Sequence, residues 1–380
     1  MKKNQLVTLG KHIDILSGCA FPSSGFNRNN GVPLIRIRDI LSGKTETYYE
    51  GSYDLKYLIK KGDLLVGMDG DFNREYWKGT DALLNQRVCK ITPNPETLDK
   101  NFLYHFLQKE LDKIHATTDV VTVKHLSVKK IQDIKIRLPS LKEQKRIAAI
   151  LDKADAIRQK REQAIKLADD FLRAKFLEMF GTPANNIHRF PKGTIRDLVD
   201  SVNYGTSAKA SIDSGEYPIL RMGNITYQGR WDFTDLKYLD LSVKEKDKYL
   251  VKEGDLLFNR TNSKELVGKT AVYEEDRPMA FAGYLIRVRP NSIGNNYYIS
   301  GYLNSIHGKI TLMNMCKSIV GMANINAQEL QNIEILIPPK HQQDEYEIIY
   351  KKIKKGLSIY DKSAMQLQLL ASNLSNKYFM

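Results

Sequence analysis

Ile134-Lys135-Ile136-Arg137-Leu138-Pro139-Ser140-Leu141-Lys142-Glu143-Gln144 returns later in the chain as Ile333-Glu334-Ile335-Leu336-Ile337-Pro338-Pro339-Lys340-His341-Gln342-Gln343. In both copies a strand-like run meets proline, and a long charged segment of helical composition follows. Working outward, Lys61-Gly62-Asp63-Leu64-Leu65 recurs as Glu253-Gly254-Asp255-Leu256-Leu257, and Pro33-Leu34-Ile35-Arg36 as Pro218-Ile219-Leu220-Arg221. The offset drifts from 185 at Pro33 to 192 at Gly62 and 199 at Pro139, so scaffold segments match while the connections differ in length. A period this long is not a solenoid repeat but a duplicated domain. The layout it predicts is a globule over 1–140, a helix over 141–182, a globule over 183–340 and a helix over 341–380.

Each globule reads as mixed α and β. Short β-prone runs (Leu34 to Arg38, Asp63 to Val66, Arg87 to Ile91, Ile134 to Leu138) stand beside an amphipathic helix at Asn101 to Ile114, with Tyr297 to Met313 as its counterpart. The fold class expected is α+β, two tandem mixed domains separated by two long antiparallel coiled-coil helices in a pseudo-two-fold duplication.

Leu141 to Phe180 contains neither Gly nor Pro and stops at Gly181-Thr182-Pro183, with Ser140 and Glu143 at capping-box spacing. A helix of that length runs about 60 Å. The second segment carries an apolar seam at Tyr346, Tyr350, Ile353, Leu357, Tyr360, Ala364, Leu367, Ala371, Leu374 and Tyr378. Shifted back by 199 residues, it becomes Ile147, Leu151, Ala154, Arg158, Arg161, Ile165, Ala168, Leu172, Lys175 and Met179. Helix pairing is therefore expected through Ile147, Leu151, Ala154, Ile165 and Leu172 against Ile353, Leu357, Tyr360, Leu367 and Leu374. The pseudo-two-fold axis makes the pair antiparallel.

Lys plus Arg number 58 against 44 Asp plus Glu, a formal net charge of +14, which points to a polyanionic partner. Cys19, Cys89 and Cys316 have no CxxC spacing, and the seven histidines show no paired metal spacing, so neither a disulfide framework nor a metal site is expected. No run suits a signal peptide or membrane span, and a cytoplasmic location with no membrane partner is expected. Gly268-Lys269-Thr270 resembles the end of a phosphate loop, but Ser263 stands where that loop requires glycine. Asp69-Gly70-Asp71 reads as a turn rather than a metal loop. No catalytic site stands out, and no cofactor is expected in this chain.

What remains suits the reading of bases: Arg pairs with guanine, Asn and Gln with adenine, and Lys with phosphate. The first globule offers Arg36, Arg38, Met68, Asp69, Phe72, Asn73, Arg74, Tyr76, Trp77 and Lys78. The second offers Arg221, Asn224, Tyr227, Arg230, Asn259, Arg260, Asn262 and Lys264.

Leu138-Pro139-Ser140-Leu141-Lys142-Glu143-Gln144 running into Ile147-Ala148-Ala149-Ile150-Leu151-Asp152, together with the duplicated Gly-Asp-Leu-Leu segments, resembles the specificity subunit of type I restriction-modification enzymes over essentially the whole chain. The resemblance implies a noncatalytic subunit with two target recognition domains, each reading half of a bipartite double-stranded DNA site. It implies two modification subunits that bind S-adenosylmethionine, and restriction subunits that use ATP with Mg. The second copy departs from the pattern, with Gln342-Gln343 for Glu143-Gln144 and Tyr346 and Tyr350 for Ile147 and Leu151. An autonomous DNA-binding regulator is the alternative reading, and a protein-binding scaffold is the third.

Overall fold

The computed structural model describes residues 6–118, 123–316 and 322–379, without the side chains of 358–365, 367, 368, 371, 374, 375 and 377–379. The chain divides into two compact units, Met1–Lys160 with Ser363–Met380, and Arg161–Lys362. The unit boundaries fall inside the two long helices, Leu141–Phe180 and Lys340–Phe379.

In the first unit, one antiparallel sheet has the order Ile13–Ser17, Val88–Pro93, Leu64–Gly67, Arg74–Tyr76. A second sheet pairs Val32–Ile35 in parallel with Ala82–Leu84, and Leu6–Thr8 closes on Lys135–Arg137. The helix Lys100–Ala116 buries Phe102, Leu103, Phe106 and Leu107 in the core, against Leu64, Val66 and Ile91 of the sheet. Asp99 starts that helix by accepting the N–H groups of Asn101 and Phe102.

The second unit repeats the plan. Its sheet runs Val199–Tyr204, Leu285–Pro290, Leu256–Asn259, Thr270–Val272; Tyr217–Leu220 is parallel to Ala280–Phe281, and Lys192–Thr194 pairs with Glu334–Leu336. The single helix expected at Tyr297 to Met313 is two, Asn296–Asn304 and Ile306–Met315. Ser305, 1% exposed, breaks it: its hydroxyl donates to the Tyr302 carbonyl at 2.6 Å and accepts the Gly308 N–H at 3.1 Å. At Gly308 a Cβ would meet the Tyr302 carbonyl oxygen at 2.1 Å, so only glycine allows this close turn.

The repeated motifs are the joints of this plan. Gly62 and Gly254 stand at φ 92° and 87°, donating to Trp77 and Tyr273 carbonyls, while Trp77 and Tyr273 donate back to Asp63 and Asp255. The carboxylates of Asp63 and Asp255 each accept the N–H three residues earlier, from Lys60 and Lys252, at 2.9 Å. Leu64, Leu65, Leu256 and Leu257 are buried behind them.

The closing glutamine of the longer motif is buried in both copies, Gln144 at 1% and Gln343 at 0% exposure. The Gln144 amide donates to the Thr97 and Pro139 carbonyls, at 3.0 and 2.9 Å, and accepts the Asp99 N–H at 2.8 Å. The Gln343 amide likewise donates to the Ile293 and Pro338 carbonyls, at 2.9 and 2.8 Å. Each pins the start of a long helix to the loop ahead of the globule's own helix. The neighbouring Glu143 and Gln342 are only half-buried, which explains why that position varies between the copies. Gln144→Ala is expected to cost about 2–3 kcal/mol because the partners it strands are buried, whereas Glu143→Gln should shift the urea midpoint by the equivalent of about 0.5 kcal/mol or less.

The helix seam needs correction in register. Ile147 and Leu151 lie in the core of the first globule, with Phe102 and Phe106, rather than serving helix pairing alone. Ala154 and Ile165 are half-buried. Leu172 is buried, but the stripe that continues from it is led by Phe176 and Phe180, with Met179 half-buried against the same core, and Lys175 instead pairs with Glu178 at 2.8 Å. The reason is the aromatic pair four residues apart: Phe176 meets Tyr346 at 5.3 Å and Tyr298 at 5.6 Å, and Phe180 meets Tyr298 at 4.7 Å. On the second long helix Ile353 is half-buried and Leu357 buried, while the side chains of Tyr360, Leu367 and Leu374 lie outside the described residues. The end of that helix belongs to the first unit, where Lys109 Nζ donates to Asn376 Oδ1 at 2.7 Å.

Candidate nucleic-acid interface

In the first globule the strand Arg74–Tyr76 lies beside the helix Lys100–Ala116, and this positions a cation–aromatic stack. The Arg74 guanidinium sits 3.4 Å from the centre of the Tyr104 ring, which stacks on Tyr76 at 4.7 Å and 10°. Tyr76 donates its hydroxyl to the Lys100 carbonyl at 2.9 Å, and burial pushes the Tyr76 and Tyr104 hydroxyls above their ordinary range. The Arg36 guanidinium lies over Phe26 at 5.4 Å, and the Arg36 backbone N–H donates to Asp39 Oδ2 at 2.9 Å. The Arg38 side chain is 68% exposed and that of Lys78 58%, each near one carboxylate, Asp39 and Glu75. Asn73 is half-buried and lends its carbonyl to Gly67 N–H.

Three of the first globule's candidates are interior. Phe72 is fully buried, packed edge-on against His115 at 5.2 Å, because its left-handed φ of 51° turns the ring into the core. Met68 and Trp77 are also buried, and the Trp77 indole N–H donates to the Thr80 carbonyl.

In the second globule two asparagines are interior too. Asn224 is the turn residue equivalent to Asp39: Oδ1 accepts the Arg221 N–H at 2.8 Å and Nδ2 donates to the Asp232 carbonyl at 2.8 Å. Asn259 ends the central strand at 0% exposure. Arg221 is bound to Asp235 at 2.8 Å. Arg230 is not a free groove residue either, because it pairs with Asp169 of the first long helix and thereby fastens its loop to that helix. The corresponding fastening in the first globule uses Asp152, which accepts His105 Nε2 at 2.7 Å and Asn101 Nδ2 at 2.9 Å.

Tyr227 remains exposed, with Lys309 Nζ 5.0 Å from its ring centre. Burial, with Lys269 and Arg173 nearby, pushes the Lys309 ammonium down to about 8, and burial lowers Lys269 as well. Lys264 is exposed; Asn262 pairs through its backbone with Ala323.

Arg260 belongs to a frame that both globules share. Met68 N–H donates to the Arg87 carbonyl at 2.8 Å and the Leu126 N–H to the Met68 carbonyl at 2.7 Å; Arg260 N–H donates to the Tyr284 carbonyl at 3.0 Å and the Ile325 N–H to the Arg260 carbonyl at 2.9 Å. Asp69 bridges to His125 as Thr261 pairs with Asn324. The backbone is kept and the side chains change: Met68, Asp69, Arg87 and His125 in one copy, Arg260, Thr261, Tyr284 and Asn324 in the other. Of these eight, sequence reasoning selected only Met68, Asp69 and Arg260. The signal available for Arg87 and Tyr284 was their position between the matched strands that end at Leu84 and Phe281 and those that begin at Val88 and Leu285.

Among the described residues, no group of three or more His, Cys, Asp or Glu is placed to hold a metal, and no helix is long and apolar enough to cross a membrane.

The family model described as type I restriction modification DNA specificity domain matches residues 1–167 and 190–371. The specificity subunit of the type I restriction enzyme EcoBI of Escherichia coli is 30% identical, over 97% of this chain and 82% of its own length. That of EcoKI, from Escherichia coli strain K12, is 23% identical over 92% of this chain and 80% of its own. Among solved structures, the type I restriction-modification S subunit from M. genitalium aligns with a TM-score of 0.65 at 14% identity, covering 99% of this chain and 96% of that one. At that identity the structural match speaks to the fold, which is the same two-copy arrangement of α and β. With both copies of the repeat matched by one model and a relative covered nearly end to end, the chain belongs to the type I restriction-modification specificity-subunit family.

Proposed function

We propose that each globule of this specificity subunit reads one half of a bipartite, asymmetric site in double-stranded DNA, and that the two long helices set the gap between the halves. The observation that carries this reading is the shared frame, one backbone presented twice with different side chains, on a chain of net charge +14. In this reading the exposed candidates Arg38 and Lys78 in the first globule, and Tyr227 and Lys264 in the second, grip phosphate and groove edges.

The heptad seam and the return of the second long helix to the first unit support an antiparallel helical spacer, with a coiled coil over its middle. In the same reading the spacer docks two modification subunits, which bind S-adenosylmethionine and methylate adenine. Restriction subunits using ATP and Mg join them. This chain supplies recognition and no reacting group, and acts in the cytoplasm.

Lengthening both helices tests the spacer. Seven residues inserted between Ala164 and Ile165, with a matching heptad in the second long helix, add about 10 Å. Methylome sequencing of cells carrying the assembled enzyme should then show the two halves about three base pairs further apart, at 3.4 Å per base. An unchanged gap contradicts the spacer role.

A further inference from the structure

We propose that the shared frame is the base-reading element of each globule, and that in the first globule Arg87, oriented by Asp69 beside His125, reads a guanine in the major groove. This rests on the reading that each globule binds a DNA half-site.

The first observation is backbone strain. Arg87 is held at φ 71°, a left-handed conformation that costs an L-residue about 1–2 kcal/mol and that glycine adopts freely. Its counterpart Tyr284 is not among the described residues with positive φ, so the frame itself does not require that conformation. The side chain is 55% exposed, so core packing does not explain an arginine here. Strain kept at an exposed position points to a use for the guanidinium.

The second is the orientation of that group. Asp69 Oδ1 accepts from His125 Nδ1 at 2.6 Å, and Asp69 Oδ2 lies 3.5 Å from Arg87 Nε. With the Nδ1 proton given to Asp69, the 3.4 Å approach of Arg87 Nη1 to the same nitrogen is proximity rather than donation. The carboxylate thus orients the fork through Nε and leaves its outer N–H donors to match the paired N7 and O6 acceptors of guanine. Arg87 and His125 border a cleft of about 340 Å³ lined also by Ser17, Gly18, Met68, Gln86 and Ser127.

The third is the change between copies. At the equivalent positions the second globule sets Arg260 over Tyr204 at 4.8 Å, and Thr261 donates to Asn324 Oδ1 at 2.9 Å. Tyr284, 54% exposed, replaces Arg87. A fork braced by a carboxylate is therefore special to the first half-site, and the second reads a different edge. An exposed ion-pair cluster kept only for stability would contribute about 0–1 kcal/mol, less than the backbone strain it would have to offset.

Arg87→Gly separates the two uses, because glycine relieves the strain and the fold loses nothing it needs. The full chain, assembled with its modification subunits, is used to select duplexes from a randomised library, as wild type, Arg87→Gly and Arg87→Lys. The expected result is that Arg87→Gly loses preference at one guanine of one block by about five- to 150-fold. Preference in the other block stays unchanged and the thermal midpoint is equal or higher. Arg87→Lys should not restore full discrimination, since an ammonium has no Nε for Asp69 to brace and no rigid planar fork to hold against the two acceptors. Wild-type preferences retained in Arg87→Gly overturn the assignment, and so does an equal loss across all positions, which would make Arg87 a phosphate contact. A wild-type complex that selects no sequence at all instead overturns the half-site reading beneath it.

Discussion

Replacing Asp255 with alanine is expected to destabilise the second globule by about 3–5 kcal/mol, the cost of stranding buried charge. Arg289 donates to this carboxylate twice, Nε at 2.8 Å and Nη2 at 3.1 Å, and Arg287 Nε stands 3.9 Å away. The side chains of Asp255 and Arg287 are 5% and 4% exposed, and burial holds the Arg287 guanidinium below its ordinary value. Removing the carboxylate leaves Arg287 with the Leu250 carbonyl and the face of Phe281 but no counter-ion. The equivalent Asp63 pairs with Lys90 at 3.3 Å, with both side chains about a quarter exposed, so Asp63→Ala should cost about 1 kcal/mol. Urea denaturation of the two variants checks the contrast. Equal losses would show that the turn, and not the buried arginines, sets the value of this aspartate.

Phe176→Ala is the second large effect, about 3–5 kcal/mol for a fully buried aromatic side chain. Phe176 is 1% exposed, packs on Phe180, Tyr298 and Tyr346, and sits so close to the helix Asn296–Asn304 that a Cβ at Gly301 would meet its ring at 2.7 Å. It joins both long helices to the second globule, so its loss leaves a cavity that none of the three elements can fill by moving alone. Phe176→Leu, which keeps most of the volume, should cost roughly a third as much. Thermal unfolding of both variants decides the matter: a Phe176→Ala protein as stable as wild type would mean that the aromatic junction does not seat the helices.

Much of this fold was legible in the sequence, and for identifiable reasons. Gly62, Asp63, Gly254 and Asp255 repeat because one backbone turn needs a left-handed residue followed by a carboxylate acceptor. Gln144 and Gln343 repeat because one helix start needs a buried amide, which is why the glutamine persists while its neighbour varies. The long helices were legible from composition. Their exact buried stripe was not, because Phe176 and Phe180 outweigh the heptad drawn from the other helix.

The site was less legible. Asn224 and Asn259 have the residue type of an adenine reader, yet one closes a turn and the other is buried in a sheet. Arg230 has the type of a guanine reader and instead holds a helix. Residue type cannot tell a side chain that contacts a ligand from one that is buried in or bonded to its own fold. Arg87 and His125, 38 positions apart in sequence, are brought together by the backbone bonds of Met68 to Arg87 and Leu126 and by Asp69 between their side chains.

The most direct measurement of the central claim is duplex selection with the wild-type chain and its modification subunits at physiological salt. The account predicts two short defined blocks of different sequence, separated by a run of fixed length in which all bases occur equally. A single continuous block, two blocks at variable separation, or two identical blocks would contradict it.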